Sequence, residues 1–444
     1  MSDTADGSWV REMYEKATEE ELAAGRRALL SGSVGGELPL MVARARGASL
    51  WDASGKEYID CTSQAWTLTI GACHPKVIAA VKEQLEYFTH VRTSFETVPK
   101  LLLSKKLAEL APGDLNRVAY CLHGSTAIEG AMKLAMRHYP DRRFFLVPWD
   151  NFSGRTLAGM SLCYPHPDSF LQHTGYGVRV PQGYCYRCAY ELEYPACDLF
   201  CVKMMGKFIE NAVDGKPLAL LMEPIQGSGG MIDFPKPYYQ ALRELCDHYD
   251  MLLIFDEMQT GFGRVGRMFA SELYEVVPDI LVFGKALGGG FPLAGSISRP
   301  HVAGFKPADH SFTFAHFPVS MVAALATLRV LEEEKLLERA ERMGQCFTSR
   351  LLELKDRYKL IGDVRGPGLM IGIELVRDKR SKEPAREETH RFEREGLKRG
   401  VLFGTSKYLG MGNVVKIKPP AVITDAQAEK VMEVFEEVLR VLSS

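Results

Sequence analysis

Nothing in this chain approaches the roughly 18 consecutive apolar residues of a membrane-spanning helix. The opening Met1–Gly7 (MSDTADG) has neither the basic nor the apolar stretch of a secretion signal. Both absences point to a protein expected in the cytoplasm, with no membrane partner. Charge of one sign is missing too: 54 Lys and Arg face 56 Asp and Glu, a formal net charge of −2. Such a balance gives no general attraction to nucleic acid. Internal repeats and low-complexity linkers are also absent, so small-molecule chemistry is the expectation.

Cysteine is too sparse for a disulfide scaffold, ten in 444 residues. Four are nonetheless gathered in Cys185-Tyr-Arg-Cys188 and Cys197-Asp-Leu-Phe-Cys201. Their spacing admits four thiolates around a structural zinc. The alternative is a metal-free surface loop braced by Tyr184, Tyr186 and Tyr190.

What is present is an ordinary globular composition, 46% hydrophobic and 25% charged. Apolar runs at Val118–Leu122, Phe144–Val147, Leu218–Met222, Met251–Phe255 and Ile280–Phe283 read as strands. Between and after them, Ala127–Arg137, Tyr238–His248 and Met321–Glu333 carry apolar residues at helical spacing. The alternation predicts an α/β domain with a mostly parallel sheet over residues 61–330. Functional residues are then expected at the carboxyl ends of its strands. Residues 331–444 change character, with helices over Leu336–Arg357 and Asp425–Leu442 and strands at Ile361–Arg365 and Leu369–Val376. This predicts a smaller α+β domain. The hairpin signature of Leu50–Tyr58, with Ala-Ser-Gly between short apolar runs, places the segment 1–60 against it.

Several predicted strand ends carry chemistry. Ile280–Phe283 runs into Gly284-Lys285, with Gly288 to Gly290 beyond it. A lysine so placed loses water and its amine is driven toward the neutral, nucleophilic form. Met251–Phe255 ends in Asp256-Glu257. Val118–Leu122 leads to His123-Gly124-Ser125-Thr126 and a helix start, whose free N–H groups suit a phosphate; plain N-capping is the alternative. Phe152 follows the next strand, where an aromatic ring can stack on a planar ligand or simply fill the core. Leu218–Met222 delivers Glu223 into a glycine-rich turn, to orient a basic group or to stand as an exposed loop acid.

Taken in order, these segments resemble the class III (ω-amino) aminotransferases, fold-type I enzymes that use pyridoxal 5'-phosphate (PLP), along nearly the whole chain. The strongest likeness is Glu223–Leu293, with EPIQGSGG, LLIFDEMQTGFGRVGRMFA and PDILVFGKALGGGFPL. The resemblance implies that Lys285 forms the internal aldimine, Asp256 pairs with the ring nitrogen and Gln259 bonds near the ring hydroxyl. It further implies that Phe152 stacks on the ring and that Gly124, Ser125 and Thr126 hold the phosphate. Thr313 would reach the phosphate of a partner subunit, making the active unit a homodimer. The activity implied is transfer of an amino group from an amine or amino acid to a keto acid or aldehyde.

Departures from the family pattern sit on the substrate side. Ser153 stands where an aromatic-His-Gly pattern is usual, Thr126 where an acid is usual, and His316-Phe317 where Gly-Asn is usual. Gly71-Ala-Cys-His-Pro75 differs from Gly-His-x-His-Pro. Lys416 replaces the arginine that usually clamps an α-carboxylate in two parallel bonds, which a lysine's point charge does not copy. Lys416 is expected either to meet substrate or to pair with Glu223 in an ion pair, and Trp66 either to narrow the substrate pocket or to belong to the core. The same family contains amino-acid racemases and a dialkylglycine decarboxylase, which the runs Arg365–Pro384 and Gly410–Asn413 resemble somewhat. A non-catalytic PLP-fold binding protein is a further alternative, and intact Lys285, Asp256 and Gln259 argue against it.

Overall fold

The computed structural model describes residues 8–30, 40–163, 175–406 and 412–443. The Met1–Gly7 segment and the Gly410-Met411 part of the racemase-like run lie outside these residues.

Fourteen strands are formed among the described residues. Three come early: β1 (Val42–Arg46), β2 (Ser49–Asp52) and β3 (Glu57–Cys61). Seven occupy the middle: β4 (Arg117–Cys121), β5 (Phe145–Pro148), β6 (Gly177–Val180), β7 (Ala219–Met222), β8 (Leu252–Asp256), β9 (Ile280–Phe283) and β10 (Ala294–Ser298). Four close the chain: β11 (Ile361–Arg365), β12 (Ile371–Leu375), β13 (Val401–Thr405) and β14 (Val414–Ile417). They make two seven-stranded sheets.

The middle strands are ordered β4-β10-β9-β8-β7-β5-β6. From β9 to β6 every pairing is parallel, and β10 alone runs antiparallel to both its neighbours. The predicted mostly parallel α/β sheet is thus observed. Helices such as Gly124–His138 and Lys236–His248 cover its faces, so β7, β8 and β9 are buried along their whole length. Burial on both faces is why they read as unbroken apolar runs rather than alternating ones. Strand β10 carries Ala-Gly-Ser-Ile-Ser instead and escapes a search for apolar runs. A Cβ at its Gly295 would lie 2.3 Å from the Ala119 carbonyl, so the close strand approach requires glycine there.

The second sheet has the order β1-β2-β3-β13-β14-β12-β11 and unites the two ends of the chain. The expected hairpin is β2 against β3, antiparallel, and β3 then pairs in parallel with β13 through Ile59 and Val401. The helices Leu336–Arg357, Arg386–Lys398 and Asp425–Ser443 pack on this sheet and on one another. Their Phe347, Phe392 and Phe435 are almost wholly enclosed.

Arg264, in the loop after β8, ties the two sheets together. Its side chain is 1% exposed. Nη1 donates to the carbonyls of Pro419 (2.6 Å) and Leu369 (3.3 Å), and Nη2 to Ser63 Oγ (2.9 Å) and Thr69 Oγ1 (3.1 Å). No carboxylate pairs with it, and burial pushes its pKa down to about 10. Removing it strands several buried acceptors at once. Arg264→Ala is therefore expected to lower unfolding free energy by about 3–5 kcal/mol, read as a fall in denaturant midpoint at unchanged slope.

Candidate active site

A cavity of about 440 Å3 opens at the carboxyl ends of β4, β5, β8 and β9. Gly124, Ser125, Phe152, Asp256, Gln259 and Lys285 all line it. The sequence scatters them over 162 positions, and the parallel sheet brings them together because each follows or ends one of its strands.

Lys285 follows β9 in a left-handed conformation, φ 42°, which aims its side chain into the cavity instead of along the strand. Burial lowers its pKa to about 8, against the opposing pull of Asp256 and Glu223. Asp256 ends β8 and is 5% exposed, with Oδ1 accepting the Met258 N–H at 2.9 Å. Burial lifts its pKa to about 6, with the Met258 N–H and Lys285 pulling the other way. Its neighbour Glu257 points to the opposite face, as strand alternation requires. There it accepts the N–H groups of Ala270 (2.8 Å) and Ser271 (2.7 Å) at the start of the helix Ala270–Tyr274. One carboxylate of the pair serves the cavity and the other serves the fold.

Glu223 follows β7 at 2% exposure. It is no exposed loop acid. Its oxygens accept the N–H groups of Phe152 (2.8 Å) and Gly227 (3.2 Å), so it braces the two turns that carry Phe152 and Gln226-Gly227. Burial and nearby Asp256 push its pKa up to about 8.

Three observations fit this cavity to PLP. Gln259 Oε1 is buried without a hydrogen-bond partner, as a group awaiting a donor from a ligand would be. A Cβ on Gly227 would lie 1.9 Å from that oxygen, so only glycine leaves the amide in place. The helix Gly124–His138 begins with no side chain capping it, leaving first-turn N–H groups at the cavity wall for an anion. Opposite them Gly154, φ +97°, presses on Ser125, whose Oγ would sit 2.5 Å from an added Cβ. The Thr126 hydroxyl donates back to the His123 carbonyl at 2.8 Å.

On the substrate side two expectations are corrected. Ser153 is fully buried and faces away from the cavity, its Oγ accepting from Asn151 Nδ2 (2.8 Å) and its N–H meeting Cys163 Sγ (3.1 Å). A short polar side chain beside an asparagine and a cysteine turns inward. Lys416 forms no ion pair with Glu223; its Nζ lies 3.5 Å from the Ser228 carbonyl, 3% exposed. Burial above all pushes its pKa down to about 7. Trp66 stands between the lysines, its ring centroid 5.1 Å from Lys285 Nζ, 5.7 Å from Lys416 Nζ and 3.7 Å from Lys418 Nζ. Thr313 is exposed on the loop after β10 and does not line this cavity.

The zinc expectation also fails. Among the described residues no group of three or more His, Cys, Asp or Glu is placed to hold a metal ion. Cys185, Cys188, Cys197 and Cys201 line one small hollow with Tyr190 and Tyr238. Burial raises the pKa of Cys185 and pushes that of Cys201 up to about 11. No helix among the described residues is long and apolar enough to cross a membrane.

Arg365 escaped the sequence reading. It donates to the Gly230 carbonyl (2.8 Å) and to Asp363 (2.9 Å) and Glu374 (2.8 Å), pinning the glycine turn after Glu223 to the second sheet. Its only signal was an arginine before Gly-Pro-Gly.

Comparison with known proteins agrees with this geometry. The sequence model of the family described as aminotransferase class-III matches residues 32–439. A leucine/methionine racemase of Thermococcus litoralis is 36% identical over 407 residues, 90% of each chain. A 5-aminovalerate aminotransferase of Pseudomonas aeruginosa is 34% identical over 428 residues, 95% of this chain and 98% of that one. Among solved structures, the PLP-bound form of an amine transaminase from an uncultivated Pseudomonas species superposes with a TM-score of 0.85 at 29% identity, covering 93% of this chain and 98% of that one. Built on the same fold, with its strand-end lysine and aspartate in one cavity, the chain belongs to the class-III aminotransferase family of PLP-dependent enzymes.

Proposed function

We propose that this enzyme transfers an amino group from an amine or amino acid to a keto acid or aldehyde. The observation that carries the reading is the meeting of Lys285, Asp256 and Gln259 in one cavity beside an uncapped helix start. PLP, when bound, supplies an electron sink that weakens the C–H bond next to the substrate's nitrogen. Lys285 would hold the cofactor's aldehyde and then, freed by the substrate amine, take and return the proton at the substrate carbon. Asp256 would keep the ring nitrogen protonated, and that positive charge in turn holds the carboxylate ionised. Gln259 would meet the ring hydroxyl and the turn Gly124-Ser125-Thr126 the phosphate, with Phe152 stacked on the ring. Thr313, exposed and outside its own cavity, supports a homodimer in which it serves the partner's site.

Racemisation is the second reading, supported by the 36% identity to a racemase and by the Lys416 amine. An amine pushed to about 7 both gives and takes a proton near neutral pH. Lys285 and Lys416 would then act at the same carbon in turn.

Borohydride reduction of the holoenzyme is expected to leave the pyridoxyl group on the peptide containing Lys285. An amine panel should bleach the cofactor band, and an acceptor should restore it. Loss of optical rotation from one enantiomer of an amino acid, with no acceptor present and no bleaching, would favour the racemase. Asp256→Asn is expected to retain cofactor yet lose turnover by a factor of about a thousand, as for a lost electrostatic contact of several kcal/mol.

Uptake of PLP by the apoprotein should rise with pH and level off above about 8, because neutral Lys285 is the reacting form. Asp256 raises that pKa, so the midpoint should move to lower pH in Asp256→Asn, in stopped-flow absorbance. Lys416→Arg, which supplies a two-pronged cation, should speed half-reactions of simple α-amino acids by about tenfold if one charge-assisted bond is gained. Fast bleaching of the unaltered enzyme by these amino acids, unimproved by arginine, would show that lysine already serves.

A further inference from the structure

Four successive residues, Ser63, Gln64, Ala65 and Trp66, have φ of 45°, 46°, 60° and 67°. Left-handed backbone costs a non-glycine residue roughly 1–2 kcal/mol, so a run of four must be held from outside. The turn begins two residues after β3 and ends at the indole that faces Lys285.

What holds it comes largely from one residue just past β14. The Lys418 N–H donates to the Cys61 carbonyl (3.1 Å), and its own carbonyl accepts from Ser63 Oγ (2.7 Å). Its side chain adds two contacts. Nζ donates to the Thr62 carbonyl at 2.8 Å and lies 3.7 Å from the Trp66 ring centroid. The residue is 4% exposed, and among the described residues no carboxylate forms an ion pair with the amine. Asp60, the acid of the preceding strand, spends its oxygens on Thr62 and Gln64 instead. A buried amine without a counter-charge is costly, and here its N–H groups serve a strained turn. Gly404 leaves the room: a Cβ there would come within 3.1 Å of Lys418 Cε. Lys418 does not line the cavity; Trp66 meets the site through Lys285, whose amine lies 5.1 Å from its ring centroid.

We infer that Lys418 is a positioning residue that sets substrate size, because its amine clamps the Thr62 carbonyl and the Trp66 indole and so fixes the indole beside Lys285. The inference rests on the transaminase reading for its kinetic arm alone. With the amine gone the turn can relax toward ordinary backbone, and the indole loses one of its walls.

The test compares the unaltered protein with Lys418→Met and Trp66→Phe. In the apoprotein, emission minus that of Trp66→Phe isolates Trp66; Lys418→Met should shift and broaden that component. In the holoenzyme, half-reactions with a short alkylamine and a bulky arylalkylamine are followed by cofactor bleaching. The ratio of kcat/KM between the two amines should change by roughly tenfold, the scale of about one methylene of room beside Lys285. The change should fall on KM rather than kcat, and Lys418→Arg, which keeps donors on both partners, should restore most of it. A folded Lys418→Met with the original Trp66 emission and the original ratio overturns the inference. If Lys418→Met does not fold, Lys418→Gln, which has no ammonium to place on the ring, is read in the same way. An unaltered enzyme inert to every amine would sink the transaminase reading and leave the Trp66 emission to decide this one.

Discussion

Desolvation of the Lys285 amine is the constraint on which the rest of the site depends. Water removal drives the amine toward neutrality, and only the field of Asp256 and Glu223 resists it. Those two acids are buried as well and pushed the other way. Each of the three is defined by the others. They can be so close because they sit at the ends of β7, β8 and β9, three neighbouring parallel strands spaced about 4.8 Å apart. Moving any one by a residue would turn its side chain to the opposite face, as Glu257 illustrates.

The cofactor side of this arrangement could be read from residue types in order, because strand, turn and chemistry coincide there. Apolar runs marked β4, β5, β7, β8 and β9 to within a residue or two, and those of β4, β5, β8 and β9 were followed by groups that line the cavity. The reading failed where the physics is not local. Strand β10 is made of small and polar residues and is a strand only because β4 and β9 flank it. Ser153 was expected in the pocket, but Asn151 and Cys163 draw it inward, and neither contact follows from spacing. The four cysteines do converge on one hollow, yet among the described residues no group is placed to hold a metal ion. The roles of Arg264, Arg365 and Lys418 did not follow from spacing, since each acts on carbonyls distant in sequence.

The substrate side is a problem in balancing cations. Lys285, Lys416 and Lys418 approach one indole, whose electron-rich face favours cations. The indole N–H itself is buried without a partner. The ring thus meets one amine carried by the large sheet and two carried by the second sheet.

Because β3 pairs with β13, residues near position 60 wait for partners about 340 positions later. On a ribosome the first three strands emerge long before anything can complete their sheet, and the turn carrying Trp66 follows them directly. The large parallel sheet can assemble meanwhile from strands close in sequence. Contacts of such separation form late and slowly. The sheet that anchors the Trp66 turn can therefore close only once β13 has emerged, whereas the strand ends that carry Asp256 and Lys285 can meet before it.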